Sequence, residues 1–312
     1  MTQATHIADA TMSTTPRPTR LATLVATDGS EAAQRGIRVA AALEAAGLVA
    51  PAAVAVDPIE LTAMTGTRLD PAKAVEAWLG PEAINAWRLA IQTDLRAAGG
   101  GDWPIRLRGG VSVPDAVARE VHARHCDLVI VGLRHRGTLA QVTRRDTAWR
   151  IIEQVGTPVL AVAPGLDRVP HHIVVGIDFS RASERAAKMA ARLLDAGGTL
   201  TLLHAESQPG RPTEDTEGYA RINDEGCDAL LNKLSRDITL PEGAHLETLR
   251  SIGAPIDVLR ETAKRLDADV IAVGRQHHAP FTRAVLGSVS AELVHDGRWS
   301  VLVTPLAETP PA

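Results

Sequence analysis

The chain has 312 residues and a mass of 33.0 kDa, a length that suits two domains better than one. Apolar residues make up 45% of it and charged residues 22%, enough core-forming material to exclude a disordered or fibrous chain. With 33 basic against 37 acidic residues the net charge is -4, and the aromatics are five Trp, one Tyr and two Phe, so the basic field and stacking surface that nucleic-acid binding needs are missing.

Residues 1–20 are rich in Thr, Ala and Pro, lack the apolar stretch of a secretory signal, and read as a loose tail. A β-branched run at Leu21–Ala26 predicts a strand, followed by Asp28, Gly29 and Ser30 and an Ala-rich helix for which Ser30 is a ready N-cap. The uncharged run between Glu44 and Asp57 contains Pro51 and is too short to span a membrane; it holds the next strand, Ala52–Val56. Pro58 to Asp102 shows helical spacing around Trp78, Ala86 and Ala90. Strands follow at Ile105–Arg108, Leu128–Val131 and Val159–Val162. Pro164, Gly165 and Pro170 mark a short linker with the boundary near residue 168, and His171-His172 reads as part of that polar junction. Further strands are predicted at Ile173–Ile177, Leu200–Ala205, His245–Arg250, Val270–Val273 and Val301–Thr304. Cys126 and Cys227 lie in no disulfide or zinc spacing, which fits a reducing cytoplasm.

The chain repeats itself. LVATDGSEAAQRGIRVAAAL from Leu24 answers VVGIDFSRASERAAKMAARL from Val174 at an offset of 150, whereas CDLVIVGLRH at Cys126 answers ADVIAVGRQH at Ala268, and TPVLAVAP at Thr157 answers WSVLVTP at Trp299, at an offset of 142. Each half alternates strands and helices, which predicts an α/β domain built on a parallel sheet with helices on both faces. The apolar last strands, Pro158–Val162 and Val301–Thr304, have edges that invite pairing, so the halves are expected to form an intramolecular pseudo-dimer, with further homodimerisation open.

In such sheets ligands bind beyond the carboxyl ends of the strands, where strand order reverses. In the second half those ends are Asp178, His204-Ala205 and Val273-Gly274. The segment from Gly274 leads to Gly287-Ser288 at a helix start, a place suited to cradling phosphate. Gly274, two residues, His277, nine residues, Gly287, Ser288 and then Val289 resemble the nucleotide loop of the universal stress protein family, with His277 in the place of its second glycine. The tandem form of that family covers almost the whole chain after residue 20.

The resemblance implies two tandem Rossmann-like domains of the adenine nucleotide alpha hydrolase-like kind, each a five-stranded parallel sheet, at 21–166 and 170–307. It implies ATP or a related adenine nucleotide, with or without Mg²⁺, in the second domain. Asp178 and the backbone at Ala205 would hold ribose and adenine, and Gly274, Gly287, Ser288 and Val289 the phosphates, with Gly176, Ile177, Val273, Arg275 and His277 around them. In the first half Gly132 keeps its place, but His135 takes the second position and Arg145-Asp146 replaces Gly-Ser. Asp146 would repel phosphate; Arg134, Arg136 and Arg144 partly offset it.

Other readings stand beside this one. The Asp-Gly-Ser and Asp-Phe-Ser turns can be helix caps with no ligand, and the protein can be a nucleotide-free interaction scaffold. His277-His278 with His204 has the makings of a metal site, although adjacent histidines in a loop are usually solvated. An enzyme, at most a slow ATPase, lacks a catalytic base and a Walker A sequence. The localisation expected is cytoplasmic, without membrane or nucleic-acid partners.

Overall fold

The computed structural model describes residues 20–57, 71–109, 112–133, 147–206, 216–275 and 288–306. The chain divides into two compact units, one comprising Thr19–Val169 with Leu293–Val303, the other Pro170–Glu292 with Thr304–Leu306.

The first repeat runs β1 (Leu21–Thr27), α1 (Glu31–Ala45), β2 (Val49–Asp57), α2 (Pro71–Ala97), β3 (Ile105–Gly109), α3 (Val113–Arg124), β4 (Leu128–Gly132), α4 (Thr147–Gln154) and β5 (Val159–Val162). The second runs β6 (His172–Ile177), α5 (Arg181–Leu193), β7 (Thr199–Glu206), α6 (Thr216–Arg236), β8 (His245–Ile252), α7 (Pro255–Arg265), β9 (Val270–Arg275), α8 (Ser288–Asp296) and β10 (Ser300–Pro305). All ten predicted strands are present, most a residue or more longer than their apolar cores. Two tandem Rossmann-like α/β domains result.

Within the first repeat the strand order is β3-β2-β1-β4-β5 and every pair is parallel. The second repeats it as β8-β7-β6-β9-β10, with β6, β7, β8 and β9 parallel; Leu306 at the end of β10 donates to the Arg275 carbonyl at 3.1 Å. In the first unit, Val301, Leu302 and Val303 lie antiparallel to Ala161, Leu160 and Val159.

Strands covered on both faces carry continuous apolar runs rather than alternation, and Leu24, Val25, Leu128, Val129, Ile130 and Leu160 are fully buried, as are Ile173, Val174 and Val175. The helices that lie on them are alanine-rich where they touch: Ala182, Ala186, Ala187, Ala190 and Ala191 form the buried stripe of α5.

β2 begins earlier than predicted and includes Pro51. The Ala53 amide bonds the Pro104 carbonyl, so position 51, two residues back, turns its nitrogen to the same side. Pairing with β3 starts only at Ala53, and the missing N–H therefore breaks no ladder bond. Gly80, at φ 71°, followed by Pro81, interrupts α2. His172 is not linker: it opens β6, half-buried, with Nε2 2.9 Å from Thr201 Oγ1. Among the described residues no helix is long and apolar enough to cross a membrane.

Candidate functional site

Strand order reverses between β6 and β9, and the register pairing Gly176 with Val273 sets Asp178 and Gly274 beside each other at the carboxyl edge. Ile177 pairs with His204, which places Ala205 one strand further on.

Asp178 leaves β6 into a tight turn. Its Oδ1 accepts the Ser180 amide at 3.0 Å, Ser183 Oγ lies 3.4 Å from the Asp178 amide, and Ser180 Oγ caps α5 by accepting the Ser183 amide at 3.2 Å. Burial raises the Asp178 carboxyl, but the hydrogen bonds from Ser180 and Ser183 outweigh it and hold the group below the usual carboxylate range. The first repeat builds the same turn: Ser30 donates to Asp28 Oδ1 at 3.0 Å and caps α1 through the Ala33 amide at 3.3 Å. Both serines are N-caps, as their position predicts.

The middle residue of the turn is left-handed in both repeats, φ 74° at Gly29 and φ 58° at Phe179. A side chain there costs about 1 kcal/mol or more, and the Phe179 ring lies 4.5 Å, centroid to centroid, from the ring of His204. His204 Nδ1 is 2.7 Å from the Ile177 carbonyl. A carbonyl only accepts, so Nδ1 carries the proton. Beyond His204, Glu206 Oε1 and Asp228 Oδ1 hold Arg250 at 2.5 and 3.2 Å. In the first repeat a carboxylate crowds the turn instead: Asp94 Oδ2 would lie 3.3 Å from a β-carbon on Gly29.

The glycines at the strand ends serve packing. A β-carbon on Gly132 would fall 1.9 Å from the Ala32 carbonyl oxygen, and one on Gly274 would fall 2.5 Å from the Ala182 carbonyl carbon. Gly176 faces Leu259 Cδ1 at 3.3 Å in the same sense. Ile177, Val273 and Arg275 are buried, at 4%, 4% and 6% exposure; Ser288 opens α8 and Val289 is half-buried. His277, His278 and Gly287, like His135, Arg145 and Asp146 of the first repeat, lie outside the described residues. Among the described residues no group of three or more His, Cys, Asp or Glu side chains is placed to hold a metal ion.

Sequence reasoning missed the Phe179–His204 contact and the Asp94 carboxylate, both of which depend on long-range packing. It also passed over Arg35 and Arg185, although the offset of 150 aligns them.

A family model described as the universal stress protein family matches residues 22–163 and again 170–305. The universal stress protein E homolog of Haemophilus influenzae is 21% identical over 204 residues, 58% of this chain and 62% of that protein, so the chain spans less than two thirds of that relative's length. A universal stress protein structure from Archaeoglobus fulgidus shares 18% identity at a TM-score of 0.58, covering 91% of this chain and 98% of its own. One from Pseudomonas aeruginosa shares 18% at 0.57, covering 92% and 93%. These two are similar in fold.

Proposed function

Because the chain belongs to the universal stress protein family, we propose that it serves the stress response as a cytoplasmic protein that binds ATP or a related adenine nucleotide in its second repeat. Membership of the family supports the stress-response role. The observation that carries the nucleotide reading is the ionised Asp178, held by Ser180 and Ser183 at the point where strand order reverses. A carboxylate there is an acceptor for ribose hydroxyls, and the backbone at Ala205 presents donor and acceptor to the base. The start of α8 at Gly287, Ser288 and Val289 would take the phosphates on its amide groups, with His277 and any Mg²⁺ beside them. The first repeat is read as a scaffold half, because Asp94 crowds its turn and Asp146 replaces the serine of the phosphate-binding helix start, each bringing like charge to a nucleotide.

Calorimetry with ATP, ADP and AMP tests this. One site per chain is expected, weakened by Asp178→Ala about tenfold to a hundredfold, the range for a hydrogen bond to a charged group. No heat of binding with any of the three, from protein that also carries no nucleotide on purification, would leave the scaffold reading for both repeats.

A further inference from the structure

At the offset of 150 that aligns Asp28 with Asp178, Glu31 aligns with Arg181 and Arg35 with Arg185; at the offset of 142, Leu133 aligns with Arg275. In the first repeat both terminal nitrogens of the arginine are tied to its own chain, although its Nε is buried with no partner among the described residues. Arg35 NH1 is 3.0 Å from Glu31 Oε1, its NH2 donates to the Leu133 carbonyl at 2.9 Å, and its side chain is only 11% exposed.

In the second repeat both partners are changed. Arg181 replaces the carboxylate one turn back, and the Arg275 carbonyl, which stands where Leu133 does, accepts the Leu306 amide. Arg185 NH1 is buried and has no hydrogen-bond acceptor among the described residues. Three matched positions that sum to zero charge in the first repeat thus sum to +3 in the second. Their place is the candidate site: the first turn of α5 lies against Gly274, and Arg185 follows Arg181 by one turn on the same face of the helix.

A buried guanidinium donor without an acceptor, next to a second arginine, is a place prepared for an anion. We propose that Arg185, supported by Arg181, binds the polyphosphate of the nucleotide, so that the second repeat selects ATP over adenosine through a side chain that the first repeat uses to tie its own backbone. The inference rests on the nucleotide reading above and deepens it, since it assigns the phosphate chain a protein side chain as well as helix amides.

The test is binding of ATP, AMP, adenosine and inorganic tripolyphosphate to the full chain, to Arg185→Met and to Arg185→Lys, with Arg35→Met as the matched change in the first repeat. Arg185→Met is expected to weaken ATP and tripolyphosphate at least tenfold and leave adenosine unchanged; Arg185→Lys should recover part of the loss, and Arg35→Met should change none of these affinities. Unliganded Arg185→Met should also melt no lower than the parent chain, because it removes an unsatisfied buried donor. Equal affinity of the parent and Arg185→Met for ATP, or an equal loss for ATP and adenosine, would overturn the proposal. Failure of adenosine and ATP to bind the parent chain would sink the nucleotide reading alone if tripolyphosphate still bound in an Arg185-dependent way, and would sink both if it did not.

Discussion

Gly274 lies against Ala182 so closely that a β-carbon on it would stand 2.5 Å from the Ala182 carbonyl carbon and 2.9 Å from the Ala182 β-carbon. The neighbouring atoms are mostly backbone and cannot step aside, so the absence of a side chain is a condition for α5 to sit on β9. Gly132 stands in the same relation to Ala32. Gly274→Ala should therefore destabilise the chain by at least about 3 kcal/mol, at or beyond the upper end for overpacking, and Gly132→Ala by more. Gly226 within α6 has open space around its Cα, and Gly226→Ala should stabilise by about 0.5–1 kcal/mol. Denaturant unfolding of the three variants checks the order. A well-folded Gly274→Ala protein would contradict the packing role.

Phe179 supplies a second comparison. Its left-handed backbone favours glycine, while its ring contact with His204 favours the aromatic residue. Phe179→Ala loses the ring, worth about 0.5–1.5 kcal/mol beyond its buried area, and keeps the strain; Phe179→Gly loses the ring and relieves the strain. The glycine variant is expected to be more stable than the alanine variant by about 1 kcal/mol, the reverse of the order in a helix. Urea midpoints read this directly, and an alanine variant as stable as the glycine one would show that the turn relaxes.

Glu120 is buried on α3, its side chain 3% exposed, with Arg108 at 2.9 Å, Arg124 at 3.6 Å and Arg106 at 4.0 Å. Removing the one carboxylate would leave the arginines repelling one another around a buried space, so Glu120→Ala should cost about 3–5 kcal/mol. Arg106, 62% exposed, is screened by solvent, and Arg106→Ala should cost about 0–1 kcal/mol. Thermal unfolding at low and high salt separates the two, with only the Arg106 effect fading as salt rises.

Stability should fall on acidification in two separate windows. Burial, the largest influence on His172, holds its imidazole below the usual value against the opposing pull of Glu247. The unfolded chain then takes up that proton first, so the contribution of His172 is complete above about pH 6.5 and is lost as the pH falls through the lower folded value. Asp178 and Asp115 are also held low in the folded state, Asp178 by Ser180 and Ser183 against burial, Asp115 by Ser112 and Gln154. Their contributions are complete above about pH 4 and disappear below it. His172→Gln should flatten the first window and Asp115→Asn the second. If neither substitution alters the pH profile, other groups govern it.

The ten strands and the caps at Ser30 and Ser180 were legible because they follow from local pattern and from the similarity of the two halves. Asp178, Ala205 and Gly274 were legible for the same reason, as ends of predictable strands. The role of Gly274 was not, since a glycine freed for a ligand and one pressed against a helix look the same in sequence. His172 was read as junction because two adjacent histidines resemble a polar linker; only the register with Thr199 and the ring bond to Thr201 place it inside the sheet. The Asp94 carboxylate reaches Gly29 from α2, in the stretch where the halves diverge most, so no repeat comparison could have pointed to it.

The placement of Leu293–Val303 with the first unit bears on the order in which the protein assembles. β5 leaves the ribosome before any of the second repeat exists, yet the segment that lies antiparallel to it, Val301–Val303, is made after nearly all of that repeat. During synthesis the apolar edge of β5 is therefore an open template for the whole time the second repeat is being translated, and pairing across so long a loop is slow. A nascent chain stalled before residue 293 would carry all five strands of the first repeat with the edge of β5 uncovered, so premature termination in α8 harms the first repeat although every residue of β1 to β5 has been made.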